Sequence, residues 1–344
     1  MTVLVTGATG FLGSHVARLL ADRGERVRVL VRAESADRVS EALPGNRVEV
    51  ALGDLRDAAS LERAMQGVDA VYHVAADYRL WARRPADIYD SNVTGTRNLL
   101  EAARCAKVAK LVYTSTVGTM AVPRGEALPD ENTRTSIDEM VGNYKRSKWL
   151  AEQEVLRAAG DGLPVVIVNP TTPVGPGDAK PTPTGRIIVD FLNGRMPAFV
   201  DSGLNFVGVE DAAAGHLLAA QCGRNGERYI LGGENLTLKQ VLGMLAQTSG
   251  RNAPRVRLPH FVALGAAYAD AAVSGLLGRE PRIPLEGVRM ARHSMFVSDK
   301  KARTELGFAP GPVAGALDRA VRWYAANGYV AGSRAAGMAA AHAA

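Results

Sequence analysis

The chain has 344 residues, is 47 % hydrophobic and 22 % charged, and carries a formal net charge of +6. These values exclude a disordered or fibrous protein, and the length admits one large domain or a core domain with a smaller lobe. The positive balance favours anionic small molecules, but Lys and Arg are scattered with no basic block, so no nucleic-acid partner is expected.

Taken in chain order, the first half alternates short apolar runs with amphipathic ones. Strands are expected at 2–6, 26–32, 47–52, 70–74, 110–115 and 164–168, and helices at 11–23, 57–66, 87–107 and 144–159. Near-continuous apolar strands separated by helices mean an α/β, doubly wound parallel sheet of the Rossmann type, covered on both faces. After Asn169 a loop rich in Pro and Gly leads into helices at about 184–194, 210–222, 237–249, 260–277 and 312–327. The division expected is a dinucleotide-binding domain at 1–170, to which 204–232 returns. A smaller, mostly helical substrate lobe takes 171–203 and 233–330, and 331–344 forms a frayed tail.

Cys105 and Cys222 have neither paired nor metal-type spacing; both read as buried small residues in helices, which suits a reducing, cytoplasmic setting. The six His residues show no metal spacing, so no metal is expected. The segment 261–278 has its larger groups at Phe261, Leu264, Tyr268 and Leu276, with Asp270 in the middle. It reads as a packed helix, with peripheral membrane contact as the rival.

Gly7, Gly10 and Gly13 follow the first strand and open a helix. Bare backbone N–H groups at a helix start can hold a pyrophosphate that a Cβ would keep away. At the end of the second strand, Arg32 suits a 2′-phosphate and argues for NADP(H), while Glu34 keeps NAD(H) open. Asp54 is either a carboxylate near adenine or a helix cap. Tyr144 and Lys148 lie four apart, on one helix face. A phenol titrates near pH ~10 in water, and an adjacent ammonium with an oxidised nicotinamide would lower that value. Thr114, Ser115 and Thr116 close the fifth strand, where hydroxyls can hold a substrate oxygen.

With Asp54-Leu55, His73-Val74-Ala75-Ala76 and Asn92 added, these motifs resemble the extended short-chain dehydrogenase/reductase superfamily over about residues 1–328. Within it the chain is similar to dihydroflavonol 4-reductases and to hopanoid-associated sugar epimerases. The resemblance implies Tyr144 as acid/base, Lys148 as its partner and Thr116, in place of a more usual Ser, as the third catalytic residue. Cofactor contacts are expected from Gly7, Thr9, Gly10, Phe11, Leu12, Gly13, Arg32, Ser35, Asp54, Leu55, Val74, Ala75, Ala76 and Asn92, then Thr114, Tyr144, Lys148, Asn169, Pro170 and Thr172. Tyr78, Trp81, Thr116 and Arg186 are the expected substrate contacts, and the helices starting near Asp87 and Tyr144 the expected homodimer interface. The leading expectation is an NADP(H)-preferring carbonyl/alcohol oxidoreductase acting on a small molecule. The alternatives are an NAD-retaining sugar-nucleotide epimerase or dehydratase linked to hopanoid metabolism, and a non-catalytic NADP(H)-sensing module.

Overall fold

A computed structural model describes residues 1–45, 48–123 and 127–331. The first half runs β1 (Thr2–Thr6), α1 (Phe11–Asp22), β2 (Arg26–Val31), α2 (Arg38–Ala42), β3 (Glu49–Leu52), α3 (Ala58–Ala64) and β4 (Ala70–His73). It continues through α4 (Ala86–Tyr89), α5 (Gly95–Cys105), β5 (Lys110–Thr114), α6 (Gly142–Gly160) and β6 (Val165–Pro170). A π-helical segment at Asp90–Thr94 joins α4 to α5, so the expected long helix at 87–107 carries a bulge.

Seven parallel strands form the main sheet in the order β10-β6-β5-β4-β1-β2-β3, with β10 at Arg228–Leu231. Alternation along each strand feeds two cores. Val3, Val5, Val27 and Val29 face α1 and its neighbours, while Leu4, Val71 and Leu111 face α3, α5 and α6. The chain winds outward from β1 to β3 and then crosses back to place β4 on the other side of β1. That reversal opens a crevice at the carboxyl ends of β1 and β4, where a parallel sheet binds its ligands.

The second half runs β7 (Thr172–Val174), α7 (Pro183–Leu192), β8 (Ala198–Val200), β9 (Gly203–Gly208), α8 (Val209–Cys222), β10, β11 (Glu234–Thr237) and α9 (Leu238–Ser249). It ends with β12 (Val256–Leu258), α10 (His260–Leu276), α11 (Leu285–Met290), α12 (Lys300–Leu306) and α13 (Val313–Ala326). A separate core joins α7, α9 and α13 through Phe191, Leu245 and Leu317. Strand β9 sits in a small sheet with β11 and β7. Helix α12 does not join the lobe in which the sequence reading places it: Ala302, Leu306 and Phe308 bury against Val168 and Leu231 of the main core.

Two further expectations change. Cys105 and Cys222 are exposed, because each is the last residue of a helix leaving the core. Helix α10 is not packed as expected: within it only Ala267 and Ser274 are buried. Of the tail expected at 331–344, residues 332–344 lie outside the described residues.

Two buried imidazoles tie the sheet to its surroundings. His216 Nδ1 donates to Ala212 O at 2.7 Å, which leaves Nε2 to accept from Thr114 Oγ1 at 3.0 Å. His73 sits between Thr6 Oγ1 at 2.7 Å and Thr96 Oγ1 at 3.3 Å, and Thr6 Oγ1 also accepts from Ala75 N at 3.2 Å. Burial lowers His73 to about 3 and His216 to about 4. Both are therefore neutral in the folded protein, whereas in the unfolded chain they gain a proton below about pH 6.5. The unfolded state then binds more protons, and stability falls as pH drops. The urea midpoint should fall between about pH 6.5 and pH 5, by about 1.4 kcal/mol per pH unit for each imidazole in ΔG. A midpoint unchanged over that window would show that neither ring is held neutral.

Candidate active site

The loop between β1 and α1 is shaped by close packing. Gly7 has φ +74°, and a Cβ there would lie 2.7 Å from Ala75 Cα. A Cβ on Gly13 would lie 2.1 Å from Gly7 O, so this glycine lets the helix close onto the loop. Gly10 differs: it is exposed, its N–H donates to Gly7 O at 2.9 Å, and an added Cβ would meet only that oxygen, at 3.2 Å. It is also the N-cap of α1 and provides no side-chain cap, so the first-turn N–H groups face the crevice. Thr9, Phe11 and Leu12 are half-buried around it. Gly7 and Gly13 are thus required by the protein's own packing, whereas the bareness of Gly10 serves the opening, and a dinucleotide's phosphates fit there.

The corner beyond β2 is charged on both signs. Arg32 Nη1 lies 3.2 Å from Glu34 Oε1, both side chains are more than half exposed, and Ser35 N donates to Arg32 O at 2.8 Å. Asp54 grips Arg56 through both carboxylate oxygens, at 2.9 and 2.6 Å, and that guanidinium holds its carboxyl below the usual range. The cap of α3 is Asp57, accepting from Ala59 N at 3.1 Å, so Asp54 is not that cap. Leu55 packs on the start of α5, where a Cβ on Gly95 would come within 2.8 Å of it. Val74 packs against the main core, and Ala75 and Ala76 are half-buried beside Gly7.

At the end of β5 the three hydroxyls separate. Thr114 Oγ1 is bonded to His216, and Ser115 Oγ donates to Glu152. Thr116 is the half-buried one; its Oγ1 accepts from Gly118 N at 3.1 Å and lies beside the Tyr144 phenol. Burial raises Tyr144 to about 12, with the neighbouring Thr116 hydroxyl opposing. The lowered phenol expected from the neighbouring ammonium is therefore not produced by the protein's own groups. The reason is where Lys148 points: Nζ donates to Tyr113 Oη at 3.0 Å and to Thr114 O at 2.7 Å.

Lys148 is 2 % exposed, and desolvation lowers it to about 7 while Glu152 acts in the opposite direction. Glu152 is one turn further along α6, on the same face, and 1 % exposed. Its Oε2 accepts from Ser115, from Thr119 Oγ1 at 3.1 Å and from Asn169 Nδ2 at 3.0 Å. Its Oε1 pairs with Arg228 Nη1 at 3.3 Å, drawing β10 into the site's foundation. The sequence reading missed Glu152, although the spacing 144, 148, 152 carries the signal. It also missed Lys145, which burial lowers to about 8 and whose Nζ reaches Met295 Sδ at 3.2 Å.

Other expected contacts act on position. The Asn92 amide accepts from Asp77 N at 2.7 Å and donates to Asp77 O and Ser147 Oγ, each at 2.9 Å. It thereby clamps the 75–78 loop to the Tyr144 helix. Asn169 also donates to Thr116 O at 3.1 Å, and its buried Oδ1 has no hydrogen-bond partner among the described residues. Pro170 is buried and Thr172 half-buried at the crevice floor. Tyr78 is exposed and raises the neighbouring Tyr144 phenol further; Trp81 is exposed on the same loop. Arg186 is exposed and faces Glu280 at 3.8 Å. Among the described residues no cluster of His, Cys, Asp and Glu is able to hold a metal ion.

The model of a family described as "NAD dependent epimerase/dehydratase" matches residues 3–232. A Synechocystis protein provisionally named dihydroflavonol 4-reductase is 44 % identical over 95 % of each chain. Sterol demethylase protein B of Methylococcus capsulatus is 38 % identical over 96 % of this chain and all of its own. A solved structure titled as a nucleoside-diphosphate-sugar epimerase from Pseudomonas aeruginosa superposes with a TM-score of 0.76 at 30 % identity, covering 96 % of this chain and 99 % of that one.

Two outcomes follow from this geometry. Gly10→Ala should leave the thermal midpoint close to that of the parent while weakening nicotinamide-dinucleotide binding about tenfold or more, read by fluorescence titration. A large loss of stability instead would mean that Gly10, too, is demanded by packing. Glu152→Gln removes the charge that keeps Lys148 protonated, so the pH above which cofactor affinity declines should move down. An unmoved limb would reduce Glu152 to a packing role.

Proposed function

The chain belongs to the NAD-dependent epimerase/dehydratase family, and from that premise we propose that it is an NADP(H)-preferring oxidoreductase of the extended short-chain dehydrogenase type. The observation that carries this reading is the Thr116 hydroxyl beside the Tyr144 phenol at the open end of β5, with Lys148 one helical turn behind Tyr144 on α6. The bound dinucleotide supplies or accepts the hydride at its nicotinamide ring. Gly7, Gly10 and Gly13 with the start of α1 hold its phosphates, and Lys148 holds ribose hydroxyls. Thr116 orients the substrate oxygen. Tyr144, raised to about 12, keeps its proton at neutral pH and is therefore set up to give it to a carbonyl oxygen as hydride arrives at the carbon. The relatives named for a dihydroflavonol reductase and for sterol demethylation support a ring-bearing carbonyl substrate over a sugar nucleotide.

Arg32 supports NADP(H), since a 2′-phosphate offers its guanidinium a bidentate partner stronger than the exposed Glu34. NADPH should raise the melting temperature more than NADH, and Arg32→Ala should erase that difference. Tyr144→Phe should cost about 10²–10⁴ in turnover on a ketone found by screening, with cofactor binding retained. Full activity in that variant would end the proposal.

A second reading rests on the Arg32–Glu34 pair itself. If Glu34 takes a ribose hydroxyl instead, the protein retains NAD(H) and epimerises a sugar nucleotide. Stoichiometric NAD released from denatured, purified protein would select this reading; empty protein would select the first.

A further inference from the structure

Surface helices normally turn a polar face to water. Helix α10 does the reverse. Val262, Ala266, Ala269, Val273 and Leu276 recur at three- and four-residue intervals and are all exposed. Phe261 is 75 % exposed and Leu276 90 %. The helix has one carboxylate, Asp270, and it is turned inward, accepting from Ile283 N at 2.8 Å and Ser274 Oγ at 3.4 Å. His260 is engaged by Val288 O at 2.8 Å. No charged side chain therefore lies on the exposed face of α10.

The surroundings of that face are basic. Residues 251–293 hold seven arginines against three acids, most of the chain's net charge of +6. Arg282, Arg289 and Arg292 follow the helix, all exposed, while Arg257 before it is held by Asp201 at 2.6 Å. Arg289 Nη2 donates to Tyr268 Oη at 2.7 Å on the same face. No described helix is long and apolar enough to cross a membrane.

We propose that the exposed face of α10 docks the protein on an anionic bilayer surface, its apolar row entering the headgroup boundary and its arginines meeting lipid phosphates. A second copy of the chain is the poorer occupant. A two-fold contact through this face would bring one arginine rim against the same rim of the partner. The location adds a consequence. Glu286 of α11 accepts from Asn143 N at 3.2 Å at the start of the Tyr144 helix, and Arg186 at 3.8 Å from Glu280 ties α7 to the same hairpin. Docking by α10 therefore brings the crevice mouth close to the lipid.

The test uses the full chain and sedimentation with vesicles of phosphatidylcholine, with or without phosphatidylglycerol. The parent should pellet with the anionic vesicles, and raised salt should weaken this about tenfold. The double variant F261E/L276E should lose at least about tenfold in binding. Both side chains already face water, so its melting temperature should hold. Tyr144→Phe should bind vesicles like the parent, so this test stands or falls apart from the proposed chemistry. Absence of pelleting, or equal pelleting by the double variant, overturns the proposal. So does a dimer in sedimentation equilibrium that only the double variant dissolves, because it assigns the face to a second copy.

Discussion

An ammonium group inside a protein has to be satisfied where it lies, and the need to satisfy Lys148 organises the β5–α6 end of this one. Losing water costs the charged form several kcal/mol unless hydrogen bonds and an opposite charge replace it. Tyr113 Oη, Thr114 O and, one turn behind, the Glu152 carboxylate provide the replacement. Glu152 is itself buried and is satisfied by Ser115, Thr119, Asn169 and Arg228. Strands β5, β6 and β10 and helix α6 are thus linked by one polar network beneath Tyr144. A carboxylate removed from it leaves both Lys148 and Arg228 without their counter-charge.

The opposite side of the crevice is built by closeness instead of charge. Gly7 against Ala75 and Gly13 against Gly7 bring α1, β1 and β4 together at distances no Cβ tolerates. Thr6 reinforces that joint, giving its proton to His73 and accepting from Ala75 N. The glycine loop and the carboxyl end of β4 are therefore packed as one unit. Asn92 extends it by clamping the 75–78 loop to Ser147 on α6.

Much of this was legible in advance because it is local. Apolar strands of four to six residues, glycines at 7, 10 and 13, and a Tyr and Lys one turn apart each express a backbone or helical periodicity, and the observed elements start and stop close to the expected ones. Thr116 could be separated from Ser115 only by resemblance; in the structure Ser115 is committed to Glu152 and Thr116 reaches Tyr144. Arg228 was unreadable, since 76 residues separate it from Glu152. The cysteines and α10 were misjudged because apolar composition says that a side chain prefers burial, not that a neighbour exists to bury it.

The amino-acid sequence alone determined the parallel sheet, the glycine loop and the helix face shared by Tyr144 and Lys148, since strand alternation, glycine's missing Cβ and the 3.6-residue turn act within a few residues of the chain. Tertiary structure alone decided where Lys148 points, which hydroxyl reaches Tyr144 and whether α10 is covered. Those outcomes depend on groups far apart in the chain, and neither a hydrogen-bond partner nor a missing neighbour is encoded by the residue that needs it.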